Sequence, residues 1–212
     1  MPSQLWLIRH GETEWTVSGA HTGSTDIPLT EAGRRQALKL KESLAGRGFA
    51  LVLTSPLSRA RETCNLAGFG GAAQIDPNLV EWRYGDYEGR TTAQIHAEKP
   101  GWSLWRAGVP NGERIAEVAS RANCVIRRAL RAGGDVALFG HGHILRILAA
   151  CWLELPPECG RLFALDPADI GVLGYERDDR VISRWNANAP CEMTNVERSS
   201  QAGIQSSGLV AY

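Results

Sequence analysis

Short apolar runs that stop abruptly at a turn and are followed by stretches of helical period leave this chain little choice but an α/β fold. The clearest are Leu5-Trp6-Leu7-Ile8 before Arg9-His10-Gly11, Leu51-Val52-Leu53-Thr54 before Ser55-Pro56, and Val136-Ala137-Leu138-Phe139 before Gly140-His141-Gly142. Parallel core strands are therefore predicted over Leu5–Arg9, Ala50–Thr54 and Val136–Phe139, with later strands over Ile170–Tyr175 and Val181–Trp185. Between them, Thr30 is the expected N-cap of a helix running to about Leu44, with Ala37, Leu40 and Leu44 sharing one face. A second helix is expected from Ser58. A third follows Asn111 with Ile115, Val118, Ala122, Val125 and Ala129 as its apolar stripe, and a fourth starts just after His141 and carries Leu145, Leu148, Ala149 and Trp152.

Two segments break this rhythm. Residues 76–112 are rich in Trp, Tyr, Gly and Pro with weak periodicity, and are expected to form an excursion over the sheet, where lids and specificity loops sit. Residues 190–212 are polar and rich in small residues, and are expected to form a tail outside a single catalytic domain over 1–189.

Charge narrows the function classes. Lys+Arg and Asp+Glu both number 23, so no overall field draws the protein to nucleic acid or an anionic membrane, and any anion site must be local. The longest unbroken apolar run, Ile147 to Leu153, is far too short to span a membrane, and Leu5 to Ile8 is too short for a signal-peptide core. A cytoplasmic setting is the expectation. The five cysteines form no C-x-x-C pair and are read as reduced thiols.

Four constellations can carry chemistry. Arg9-His10-Gly11-Glu12-Thr13 puts a guanidinium and an imidazole at a strand's C-terminal end, where open α/β sheets bind ligands. Gly140-His141-Gly142-His143 repeats the arrangement at the start of a helix, whose free N–H groups favour an anion. His-x-His can also be a metal pair, but no further ligand stands at convincing spacing, so no metal and no cofactor are expected. In Thr54-Ser55-Pro56-Leu57-Ser58-Arg59-Ala60-Arg61-Glu62-Thr63, Arg59 falls in a first helical turn, a conflict with the helix dipole that a bound anion would remove; Arg61 reads as a surface residue. In Glu81-Trp82-Arg83-Tyr84-Gly85-Asp86-Tyr87-Glu88-Gly89, desolvation beside Trp82 is expected to raise the Glu81 pKa toward that of a usable general acid.

Taken in order, R-H-G-E-T, T-S-P-L-S-R-A-R-E-T, E-W-R-Y-G-D-Y-E-G and G-H-G-H resemble the histidine phosphatase superfamily, also called phosphoglycerate mutase-like, over roughly Leu5 to Tyr175. The resemblance implies a three-layer α/β/α sandwich around a mostly parallel sheet. It makes His10 the nucleophile, Arg9, Arg59 and His141 the phosphoryl pocket, and Glu81 the proton donor to the leaving group. Thr22 and Gly23 match the place where a backbone loop nears the phosphate, while Thr16 stands where mutase-like members show asparagine. His143 and Tyr84 join Thr16, Thr22 and Gly23 as candidate substrate contacts, with Arg83 and Arg106 as further possible ones; Trp82, Trp102 and Trp105 read as packing.

The implied activity is a metal-independent phosphomonoesterase on small phosphorylated metabolites, closest to the acid phosphatase and sugar-bisphosphatase branch. Thr92 occupies the place of a mutase's substrate-binding lysine, and the short lid favours hydrolysis over retention of a phosphoenzyme. The alternatives are a phosphoglycerate mutase and, behind it, a non-catalytic phosphate-sensing protein. The expected partner is a small phosphorylated substrate, not nucleic acid or membrane, and a homodimer is one assembly open to it.

Overall fold

The computed structural model describes residues 4–187. The polar tail expected from residue 190, and Cys191 within it, lie outside the described residues. The elements in chain order are β1 (Leu5–Arg9), α1 (Glu14–Ser18), α2 (Glu31–Ser43), β2 (Leu51–Thr54), α3 (Ser58–Leu66) and β3 (Ala73–Ile75). After two 3₁₀ turns come α4 (Thr92–Glu98), α5 (Leu104–Ala107), α6 (Ile115–Leu130), β4 (Val136–Gly140), α7 (Gly142–Trp152), β5 (Ile170–Glu176) and β6 (Asp179–Ala187).

The strands form one six-stranded sheet in the order β3-β2-β4-β1-β5-β6. The first four are mutually parallel, while β5 and β6 run antiparallel to their neighbours. Alternation along each strand sends side chains to two cores. Leu5, Leu7, Leu53, Leu138 and Leu173 face α6 and α7. Trp6, Ile8, Val52, Phe139 and Val172 face Leu40, Leu44 and Cys64 on the α2–α3 side. The result is the three-layer α/β/α sandwich with a mostly parallel sheet.

Three details depart from the sequence-based expectation. Strand β3 is additional to the expected strands, because three residues on an edge with Gln74 and Ile75 exposed carry no apolar run. Helix α1 is short, with no buried residue to give it a period; its capping box at Thr13 forms it instead. The excursion is not a loose cover. Leu79, Trp82, Tyr84, Tyr87, Ile95, Trp102 and Leu104 are buried in the core beneath α6 and α7.

Register places the functional edge. Arg9 pairs with Gly140 between β1 and β4, and Thr54 with Phe139 between β2 and β4, so the three strands end together. The His10 amide then donates to Gly140 O and the Ser55 amide to Phe139 O, carrying the pairing one residue beyond the strands. His10, Ser55 and His141 consequently emerge side by side. The turn after His10 lies so tightly on α2 that a Cβ at Gly11 would strike the Gly33 carbonyl and one at Gly33 the Glu12 carbonyl.

Candidate active site

His10 and His141 are buried with ring centroids 5.1 Å apart. The His10 Nδ1 lies 2.7 Å from Gly11 O. A carbonyl only accepts, so Nδ1 carries the proton and Nε2 keeps its lone pair. Burial, reinforced by the charges of Arg9 and Arg59, pushes the His10 pKa down to about 3, which keeps the ring neutral at ordinary pH. The Gly11 amide donates to Thr63 Oγ1 and the Thr63 hydroxyl donates to Arg59 O, tying the turn after His10 to α3.

Arg9 reaches across to Leu165 O through Nη1, at 2.6 Å, and packs against Gly142, the first residue of α7. Its Nε is buried and has no hydrogen-bond partner among the described residues. Arg59 is fully buried and largely committed. Nε donates to His141 Nδ1 at 3.1 Å, Nη1 to Thr25 O at 2.9 Å, and Nη2 to Thr22 O and Gly23 O at 3.2 and 3.0 Å. With Nδ1 accepting, His141 carries its proton on Nε2 and donates to Ser55 Oγ at 2.8 Å. Burial, then the Arg59 charge, holds His141 neutral as well.

Glu81 sits at the N-terminus of α7. Oε1 accepts from the amides of Trp82 and Ile144, and Oε2 from the amide of His143, all at 2.9 Å. This corrects the expected direction of its pKa. Burial beside Trp82 pushes the carboxyl up, as expected, but the hydrogen bonds and positive potential around His143 and His141 outweigh burial and hold it well below the usual carboxylate range. In the free protein Glu81 is an anion.

These groups open onto a cavity of about 270 Å³ lined by Arg9, His10, Glu81, Gly142 and His143 at its floor, with Trp15, Thr16, His21, Thr22, Tyr84, Thr92 and Arg146 around it. Arg59 and His141 stand behind the floor rather than on the lining. Tyr84 is buried with its hydroxyl 2.7 Å from His143 Nδ1, and burial followed by the Glu81 charge keeps the phenol protonated.

Several expected contacts are rearranged. Gly23 does not line the cavity, and its amide is taken by Glu88 Oε1 at 2.8 Å, which also accepts from the Thr25 amide at 2.9 Å. The loop nears the site by its carbonyls on Arg59, not by a free Gly23 amide. Thr16 lines the cavity but spends its hydroxyl proton on Thr13 O and accepts from the Thr13 amide, so it has no proton to offer a phosphate. Arg83 and Arg106 are exposed and off the lining, whereas Arg146, on α7, is on it. Ser55, Thr63 and Glu88 lay inside the quoted motifs without a role, and Arg146 follows Gly142 by four residues, the spacing that shares a helix face. Among the described residues no cluster of three or more His, Cys, Asp or Glu is arranged to hold a metal ion.

The profile of the histidine phosphatase superfamily, branch 1, matches residues 5–188. An acid phosphatase of Mycobacterium tuberculosis is 40% identical over 185 residues, covering 85% of this chain and 90% of that protein. A sedoheptulose 1,7-bisphosphatase of Saccharomyces cerevisiae is 35% identical, with 70% of this chain and 67% of that protein covered. A solved structure of a Mycobacterium tuberculosis open reading frame superposes with a TM-score of 0.83 at 37% identity, over 88% of this chain and 98% of that one.

Proposed function

The chain belongs to the histidine phosphatase superfamily, branch 1, and from that premise we propose that it hydrolyses phosphomonoesters of small metabolites without a metal, through a phosphoryl group carried on His10 Nε2. It is a phosphoric monoester hydrolase. The observation that carries the mechanism is the pairing of a neutral His10, lone pair on Nε2, with the buried, unpartnered Nε of Arg9 in the same cavity. An orphaned buried N–H costs roughly 1–3 kcal/mol, and a phosphoryl oxygen is the group that would satisfy it.

In the first step His10 Nε2 attacks phosphorus in line, forming the N–P bond as the ester P–O bond breaks. Arg9, with the charges of Arg59 behind the floor, stabilises the equatorial oxygens. The leaving alkoxide needs a proton, and Glu81 is ionised in the free protein. A monoester bound as its monoanion supplies that proton: its acidic hydrogen passes to Glu81, whose anion faces a second negative charge in the complex, and from Glu81 to the leaving oxygen. In the second step the Glu81 carboxylate takes a proton from water as that water attacks phosphorus and the N–P bond breaks; the proton then passes from Glu81 to the departing orthophosphate, which restores neutral His10 and ionised Glu81. The cavity is small and its outer wall polar and aromatic, in keeping with a metabolite rather than a protein substrate. The four described cysteines are free thiols, in keeping with a cytoplasmic setting.

The test is to trap the intermediate. Brief reaction with a ³²P-labelled monoester in EDTA should leave acid-labile, alkali-stable label on the native protein and none on His10→Asn. Turnover by His10→Asn at the native rate, or loss of native turnover in EDTA that zinc restores, would overturn the mechanism. Conversion of 3- to 2-phosphoglycerate without phosphate release would mean that a mutase is the better description.

A further inference from the structure

Glu81 is carried on an irregular stretch of chain. Residues 80–84 belong to neither helix nor strand, so their backbone groups have no ladder to join and must find partners elsewhere. Helix α6 supplies them. The Arg121 guanidinium donates from Nη1 to Asn78 O at 2.8 Å and Val80 O at 2.9 Å, and from Nη2 to Glu81 O at 3.5 Å. Its Nε and Nη2 also donate to the two carboxylate oxygens of Glu113, at 2.7 and 2.8 Å, so that all five of its N–H groups have acceptors.

Glu113 is buried and closes the frame with its own main chain. Its amide donates to Arg83 O at 2.9 Å, and its carbonyl accepts from Trp82 Nε1 at 2.7 Å. Outside the ion pair, every acceptor of Arg121 is thus a carbonyl at Glu81 or within three residues of it. Neither Glu113 nor Arg121 lines the cavity. The Glu81 carboxylate, in turn, is held by amides at the N-terminus of α7, and α6 and α7 pack on one another. The main chain of Glu81 is fixed to one helix and its side chain to the next. A carboxylate that serves the leaving oxygen in one step and water in the other must be held within roughly 0.5 Å of its productive place, and it is the supporting groups that hold it there.

We propose that the buried Glu113–Arg121 ion pair is a positioning device for the reaction: from outside the cavity it fixes the segment 78–83 and so aims the Glu81 carboxylate at the leaving oxygen and at the attacking water. The proposal rests on the phosphatase reading above and adds to it two residues that act only through Glu81.

The experiment uses two variants that keep the pair's volume. In Arg121→Lys the charge opposite Glu113 remains, but an ammonium with three donors and no plane cannot serve both carboxylate oxygens and three carbonyls. Glu113→Gln keeps both main-chain bonds and sets an amide N–H against the guanidinium. Rapid mixing with p-nitrophenyl phosphate supplies a readout that a merely structural loss does not move. p-Nitrophenolate leaves without a proton while water attack still needs Glu81, so a misplaced Glu81 produces a burst of nitrophenolate before slow turnover, whereas a smaller amount of active protein produces none. Each variant should lower steady-state turnover about tenfold to a hundredfold, with a burst close to the amount of folded protein. Inhibition by orthophosphate, which reads the Arg9 end of the cavity, should stay within about twofold, as for groups that share no partner. In a Glu81→Gln background the same substitutions should change turnover by no more than about twofold, because the group they aim is gone. Losses that multiply with that of Glu81→Gln overturn the proposal alone, and so does a folded variant with native turnover or with slow turnover and no burst. A native protein that releases no phosphate from p-nitrophenyl phosphate would overturn the phosphatase reading and the proposal with it.

Discussion

Glu81→Gln separates the two half-reactions. The amide keeps one oxygen for the Trp82 and Ile144 amides, but its nitrogen then meets the His143 N–H, donor against donor. One buried N–H goes unsatisfied at roughly 1–3 kcal/mol, and the anion at the α7 N-terminus, worth roughly 0.3–2 kcal/mol, is lost. Relief of the buried charge offsets part of this, so a net destabilisation of about 2 kcal/mol is expected by chemical denaturation. The kinetic effect is larger and uneven. p-Nitrophenolate leaves without a proton, so phosphorylation of His10 proceeds, while water attack loses its base and slows by roughly 10²–10⁴-fold. Rapid mixing of Glu81→Gln with p-nitrophenyl phosphate should therefore give a burst of nitrophenolate equal to the folded enzyme, followed by slow turnover, with label retained on His10. Alkyl phosphates should show no burst, since their first step also needs Glu81. Absence of a burst on the nitrophenyl ester, with equal losses on both substrate types, would refute Glu81 as the group that serves both steps.

Glu88→Ala should weaken orthophosphate inhibition and raise KM by about tenfold, because the Gly23–Thr25 loop that holds Arg59 loses its carboxylate staple; Glu88→Gln, which keeps an acceptor, should recover most of it, and no recovery would place the role elsewhere. The substrate is proposed as the proton source, and monoester second ionisations lie near about pH 6. The kcat/KM for alkyl phosphates should therefore fall about tenfold per pH unit above that point, while p-nitrophenyl phosphate stays nearly flat; parallel profiles would contradict the proton route.

How far the sequence could be read depends on how far apart the deciding atoms lie in the chain. β1, β2 and β4 were legible because a doubly covered strand is apolar without alternation, and their shared C-terminal edge brings together Arg9, His10 and His141. Sequence proximity points the Glu81 pKa in the wrong direction because it shows only the Trp82 neighbour; two of the three amides that hold the charge come from His143 and Ile144, some 60 positions away. Arg83 and Arg106 looked available because the excursion has no period from which to tell a face, and the packing of Trp82, Tyr84 and Trp102 turns both outward. Arg146 lay within reach of helix geometry, since its spacing from Gly142 places it on the site's face.

The buried histidines set an acid limit on the same site that the proton route confines from above. His10 has its ordinary pKa near 6.5 in the unfolded chain and about 3 in the fold. Between those values the unfolded state binds one more proton than the native state, so the stability that the neutral ring contributes is intact above pH 6.5 and is lost as pH falls toward 3. The integral for His10 alone is about 2 kcal/mol between pH 7 and pH 5. His141 and His143, also held below their ordinary values by burial, act with the same sign. Denaturant titrations should show stability dropping over this interval, with a shallower drop in His10→Asn, and an unchanged slope in that variant would mean His10 is protonated in the fold. On the proposed mechanism, hydrolysis of alkyl phosphates is then bounded by the loss of the substrate's proton above about pH 6 and by the cost of keeping His10 neutral below it, which places the expected optimum on the acid side of neutrality.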